Sequence, residues 1–317
     1  MSDYIGVIKL DKSIPCRKEV SGKTFKSKIA GHDVLIIFPS IPADYNPDQP
    51  DIQNGDLVVP NDLFKGQVKW GMINAWPSGL FSVNALLCYT STDESGVREI
   101  YEDFPRWKEK LHKLNLIDTG NYLIPEQKLP AILVGGGFDD GFQVFEAEKG
   151  KPLRYIRNSR TVDNIQLRFV ETKEAFTESK LESIFQQAGS SNEISLAYEL
   201  LITAYRAMER HDFRSAVILS GSAVEQAILN RLRPEYSSKR KFKQAKDKKP
   251  HRMLSGRFNW LIEKNISIPI ADYKKTIIGI RNDAAHDGIR PSHADTKLCL
   301  EHCKTLVETY NPDVLET

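Results

Sequence analysis

Long apolar runs are missing from this chain. The most continuous, Val34 to Phe38, falls far short of the roughly 20 residues that a membrane-spanning helix needs. Met1-Ser2-Asp3-Tyr4 is not followed by a basic segment and an apolar stretch, so no secretory signal is expected. Cysteine is scarce: Cys16, Cys88, Cys299 and Cys303 show no paired framework, which excludes a disulfide scaffold and suits reduced thiols. Charge of one sign is lacking too. Lys and Arg total 44 against 42 Asp and Glu, a formal +2, so any polyanionic partner must be drawn by local clustering rather than by bulk charge. No carboxylate cluster suggests a Mg²⁺ site, and neither a metal nor a cofactor is expected. These absences lead to the expectation of a soluble, cytoplasmic protein without membrane contact. With 317 residues it is long enough for two separate cores.

Two textures divide the chain. Residues 1–170 read as β-rich, with short apolar runs bounded by Gly, Pro, Asn and Asp. Strands are expected at Tyr4–Leu10, Asp33–Phe38, Asp56–Val59, Val68–Ala75, Leu80–Tyr89, Ala131–Val134, Phe142–Phe145 and Ile165–Val170. The spacing suits a sandwich or barrel. One helix interrupts it, because Val97, Ile100, Tyr101, Phe104, Trp107, Leu111 and Leu114 recur at 3/4 spacing, and Pro105 is a place for a kink or restart. The glycine run 134–142 lacks the Lys-Ser/Thr and the helix start of a phosphate loop and reads as a turn.

After a linker helix expected over 171–191, residues 192–317 carry helical periodicity. Leu196, Leu200, Leu201, Ala204 and Met208 form one stripe, and Phe213, Val217, Val224, Ile228 and Leu232 the next, with Asp212 placed to cap the second. Further helices are expected over Met253–Lys264, Ala271–Ala285 and Ala294–Tyr310. The fold class is therefore α+β: a β-rich N-terminal domain, then an all-α bundle.

The interval 231–257 is strongly basic. Lys239, Arg240, Lys241, Lys243, Lys248, Lys249 and Arg252 are its candidate RNA contacts, since clustered cations bind phosphate backbones by counterion release. Phe242 within the run is placed to stack on a base. A mobile, solvated loop without ligand is the competing reading.

The helix over Ala271–Ala285 carries two stripes. Tyr273, Ile277, Ile280 and Ala284 suit the core. Ile278, Arg281, Asn282 and Ala285, with His286 beyond, mix small and polar groups and suit a cleft or subunit interface. Imidazole is the side chain that exchanges protons nearest neutral pH. Guanidinium is a permanent, forked cation suited to charge growing on phosphoryl oxygens. Arg281 and His286 lie about 140° apart on an ideal helix, so a homodimer through the 271–286 helix, with both pairs lining one groove, is expected. The competing reading has both residues merely pairing with acids such as Asp283 at a helix end.

Arg281-Asn282-Asp283-Ala284-Ala285-His286 resembles the active-site motif of the HEPN ribonucleases: an Arg, a polar residue, a short spacer and a His on a late helix of a small bundle. Arg106 with His112 and Arg206 with His211 are looser matches without the polar residue. Ala216 to Leu229, with Glu225 amid small and apolar residues, looks like the family's earlier core helix. The resemblance covers about residues 192–310 and is closest to the Apea-like HEPN domains of bacterial defence proteins. It implies a HEPN-like bundle that cleaves RNA without metal, by attack of a ribose 2′-OH on the adjacent phosphate. Arg281 and His286 would be catalytic, with Asn282, Asp283 and Glu225 supporting. Anti-phage defence or a toxin role is implied as the setting, with a phage-derived trigger bound by a sensing N-terminal domain. Some family toxins carry a modified Tyr two places after the His; here that place is Gly288. Two other arrangements stay open: an inactive HEPN dimer that binds RNA or protein, and a DNA-binding regulator using 231–257.

Overall fold

The computed structural model describes residues 2–40, 73–75, 80–119, 142–146, 175–286 and 288–315. The strands expected over 56–59, 131–134 and 165–170, and nearly all of the glycine run 134–142, lie outside these residues. The chain is α+β and divides into two units, Met1–Ser190 and Ser191–Thr317.

The first unit is built on one antiparallel sheet. Its strands are β1 (Ser2–Arg17), β2 (Thr24–Ile29), β3 (His32–Ile37), β4 (Ile73–Ala75), β5 (Leu80–Thr92) and β6 (Phe142–Glu146). Their order is β2-β3-β5-β1-β6, with β4 also paired to β5. β1 and β5 pair from Ser2↔Thr92 to Arg17↔Leu80, with one register shift between Lys9 and Ile14. They lie centrally because their sequences are apolar on successive residues: Tyr4, Ile5, Val7 and Ile8 are all buried, as are Ala85 to Cys88, the pattern of strands covered on both faces. The described strands therefore form a single sheet, where the apolar runs led to the expectation of a sandwich or barrel.

α1 (Glu94–Thr119) runs unbroken through Pro105, and its expected apolar face, from Val97 to Leu114, is buried except for the half-buried Tyr101. α2 (Glu178–Ala188) starts at Thr177, whose side chain accepts the Lys180 N–H. It lies in the stretch expected as a linker, yet it packs against β2 and α1 within the first unit. The chain leading to it is tied to β1, with Phe176 donating to the Pro15 carbonyl at 2.9 Å and accepting from Arg17 N–H at 3.0 Å.

β2 was not expected. It alternates strictly, with Phe25, Ser27 and Ile29 inward. The buried Ser27 hydroxyl donates to the Phe185 carbonyl of α2 at 2.7 Å and accepts the Trp107 indole N–H of α1 at 3.0 Å. Trp107 and Phe185 stack at 6.2 Å with planes 9° apart. One small hydroxyl thus pairs an indole N–H that would otherwise be buried alone, and gives a second donor to a carbonyl that also accepts the Gly189 N–H at 3.1 Å.

The second unit is helical: α3 (Leu196–Glu209), α4 (Phe213–Leu232), α5 (Lys239–Lys246), α6 (Leu254–Glu263), α7 (Ile280–His286) and α8 (His293–Tyr310). Asp212 caps α4 as expected, accepting the Ser215 N–H at 3.1 Å. α4 is the axis of the bundle, packed by α3, α6, α7 and α8. Its buried residues, from Ala216 to Leu232, spread round the helix, as a helix surrounded by others requires. Cys299 and Cys303 of α8 are buried, with Cys299 within 3.9 Å of Ser220, and among the described residues no group of three or more His, Cys, Asp or Glu is placed to hold a metal. No helix among the described residues is long and apolar enough to cross a membrane.

Replacing Ser27 by Ala should destabilise the first unit by about 1–3 kcal/mol, because it strands the buried Trp107 N–H and removes one of two hydrogen bonds to the Phe185 carbonyl. Urea unfolding checks this: the midpoint should fall with an unchanged slope, and an unchanged midpoint would refute the account.

Candidate functional site

α7 is preceded by a π-helical segment, Lys274–Gly279, where the sequence pattern predicted a regular α-helix over Ala271–Ala285. A π turn holds more residues than an α turn and resets the register of the residues after it. The Thr276 hydroxyl donates back to the Asp272 carbonyl at 3.1 Å and lies 2.9 Å from His302 Nδ1 of α8. Tyr273, Ile277 and Ala284 are buried as expected and Thr276 joins them, while Ile280 is only half-buried. The second stripe, Ile278, Arg281, Asn282 and Ala285, is half-buried throughout. It is neither sealed in the bundle nor fully in water.

Arg281 reaches α4. Its Nη2 lies 3.8 Å from Glu225 Oε1, its Nη1 donates to Asn282 Oδ1 at 3.4 Å, and its buried Nε has no partner among the described residues. The other oxygen of Glu225 lies 3.1 Å from Arg257 Nη1 of α6. All three side chains are mostly buried, at 12% exposure for Arg257, 17% for Arg281 and 19% for Glu225. Burial pulls the Arg257 guanidinium below its ordinary value, and the Glu225 carboxylate partly offsets this. One carboxylate therefore serves two guanidiniums and holds Arg257 the closer. The cluster keeps a net positive charge, which suits the exposed part of the Arg281 side chain to meeting an anion.

Gly221 makes this approach possible. It lies one turn before Glu225, and a Cβ there would stand 3.2 Å from Arg281 Cγ.

His286 is the last residue of α7 and is exposed. Among the described residues it makes no hydrogen bond or ion pair. Asn282, expected as a supporting residue, meets Arg281. Asp283 is exposed, and its carbonyl accepts the Ile289 N–H at 3.2 Å, which closes the chain reversal at Gly288, where φ is +68°. Arg214 of α4 donates from Nε to the Ala284 carbonyl at 2.9 Å, a cation at the negative end of α7. No hydrogen bond joins Arg281 to His286 within one chain.

The basic interval is not a plain loop. Lys239, Arg240, Lys241 and Lys243 lie on α5, capped by Ser238, which accepts the Lys241 N–H. Lys248 precedes and Arg252 follows a single helical turn over Lys249–His251. All seven expected contacts are exposed. Phe242, the residue placed to stack on a base, packs on Trp260 at 5.9 Å and 19°. The other face of this small core is His251, whose ring lies parallel to Trp260 at 4.3 Å and whose Nδ1 is 2.8 Å from the Ala245 carbonyl. The aromatic cluster holds the cations on an ordered frame.

Sequence reasoning missed three residues of the site. Arg257 was hidden among the cations of its segment, although the half-buried side chain belongs to Glu225 rather than to the exposed set. Gly221 carried a legible signal, since a glycine inside an apolar helix marks close approach of a neighbour. Arg214 had none, because its role depends on where α7 ends.

No family model, curated protein or solved structure matches this chain.

Glu225→Gln should lower the stability of the helical unit by about 1–3 kcal/mol, because two guanidiniums lose their common counter-charge in partial burial. Adding Arg257→Met should restore part of the loss by removing the excess cation. Urea denaturation of the single and double variants checks this, and equal midpoints for Glu225→Gln and the parent would refute the shared-carboxylate account.

Proposed function

We propose that the helical unit is a HEPN-type endoribonuclease that cuts RNA without a metal. The observation that carries this reading is the arrangement on α7: an exposed imidazole at the helix end and, five residues before it, a half-buried guanidinium that shares its counter-charge with Arg257. In the reaction, His286 exchanges the proton of the attacking ribose 2′-OH or of the departing 5′ oxygen. Arg281 faces the charge that builds on the phosphoryl oxygens. Glu225 and Asn282 are positioning residues, acting through Arg281. Because the two catalytic side chains share no bond within one chain, the site is composite, with two copies of α7 facing each other across a two-fold axis. The half-buried stripe of Ile278 and Ala285 supports such a contact. The exposed cations of α5 and its flanks hold the strand through its phosphates. The wider setting is the one that the resemblance implies: a bacterial defence effector or toxin, cytoplasmic, whose first unit receives a phage-derived trigger.

A second reading is favoured by one observation, the exposed cations on an ordered α5: an inactive dimer that binds RNA or a partner protein.

Incubation of the purified chain with single-stranded RNA in excess EDTA separates the two. Cleavage should persist in EDTA and leave 2′,3′-cyclic phosphate ends. His286→Ala and Arg281→Ala should each slow it by about 10²- to 10⁴-fold, with circular dichroism unchanged. RNA binding without cleavage, indifferent to both substitutions, would establish the binding module instead.

A further inference from the structure

Between the C-terminal half of α4 and α5 lies a groove of about 240 Å³, lined by residues the α7 chemistry does not use. Its cations are Arg233, Lys239 and Lys246, its apolar floor is Leu229 and Phe242, and no carboxylate lines it. Surface cations are usually solvated or paired. Arg231, two residues from Arg233, is paired with Glu235 at 2.8 Å. By contrast, Arg233, Lys239 and Lys246 form no ion pair among the described residues. Three like charges converging on one concavity raise its local potential, which an anion relieves.

A polar chain ends at the same groove. Asn311 Nδ2 donates to the Asp313 backbone carbonyl at 3.0 Å and to Ser195 Oγ at 2.9 Å. A carbonyl only accepts, so this bond fixes which end of the Asn311 amide is nitrogen. Its Oδ1 therefore accepts from Asn230 Nδ2 at 2.7 Å, and Asn230 Oδ1 accepts from Gln226 Nε2 at 2.9 Å. The sense of the whole chain is set from one end, and it leaves the Gln226 carbonyl oxygen without a hydrogen bond among the described residues. Gln226 lines the groove. A held acceptor thus stands beside an aromatic floor and three cations.

We propose that this groove binds a nucleoside phosphate, with the phosphate among Arg233, Lys239 and Lys246, the base over Phe242 and Leu229, and a base amino or imino group donating to Gln226. The volume lies a little below the roughly 300 Å³ at which pockets for larger ligands begin, which fits a single nucleotide. That nucleotide is either free or one unit of a single-stranded RNA. The site stands without the nuclease reading, because none of its residues belongs to α7.

Titration calorimetry on the full chain carrying His286→Ala, which keeps RNA intact, tests this with ribose 5-phosphate, AMP and an eight-nucleotide single-stranded RNA. AMP should bind at least about tenfold more tightly than ribose 5-phosphate, since stacking and the Gln226 bond each depend on the base. Lys239→Ala with Lys246→Ala should weaken AMP by about tenfold or more. Gln226→Leu should weaken AMP and leave ribose 5-phosphate unchanged. Binding of AMP identifies a free-nucleotide site. Binding of the RNA alone, with a salt slope reduced by about 0.7 for each lysine removed, identifies a strand site. The proposal is overturned if neither AMP nor RNA binds, if ribose 5-phosphate binds as well as AMP, or if the lysine pair is without effect. A cleavage assay that fails leaves each of these outcomes readable.

Discussion

The Glu225 carboxylate, shared by Arg257 and Arg281, is the interaction on which the helical unit's chemistry depends. It joins α4, α6 and α7 at one point, and charge is expensive to hold out of water unless it is paired. The sharing is unequal, 3.1 Å to Arg257 against 3.8 Å to Arg281. Arg257 is therefore the anchor, and Arg281 is held in place without being saturated. Gly221 belongs to the same arrangement, since a Cβ there would stand 3.2 Å from Arg281 Cγ and press the stem away from α4. In the proposed nuclease, the cation meant for the phosphate is kept by a carboxylate that a second arginine already occupies.

The two polar sites of this unit share one design on α4. At Glu225 a carboxylate collects guanidiniums, while at the next residue a line of amides from Asn311 through Asn230 ends in the Gln226 oxygen. Each places a group with unused bonding capacity on a rigid helix. α5 contributes cations to the second site because Phe242 and Ala245 tie that short helix to the Trp260 cluster. An eight-residue helix so rich in lysine would not persist alone in water. The aromatic stack turns a basic stretch into an ordered surface.

The legibility of this chain varied with the physics of each element. α1, α4 and α8 were plain, because a long 3/4 pattern fits little besides a helix, and Asp212 was a correct cap. β2 was invisible because one of its three inward positions is Ser27, a polar residue whose burial only the Trp107 and Phe185 partners explain. α2 was legible as a helix, but its membership of the first unit was not, because the linker reading ignored the Phe176 tie to β1. That Phe242 packs on an indole 18 residues later in the chain was not legible, because only the fold brings the two rings together.

By itself the sequence determined the α+β class, the change of texture before residue 191, the helix that carries Arg281 and His286, and the concentration of cations after Leu232. Each is a property of local composition or of period, which neighbours along the chain suffice to set. Only the tertiary structure decided that the described strands join in one sheet, that Asn282 meets Arg281, that Arg257 leaves the basic set to hold Glu225, and that the register of α7 passes through π turns. Those outcomes depend on which donors, acceptors and charges meet from distant segments, and burial allows no such group to remain unmatched without cost.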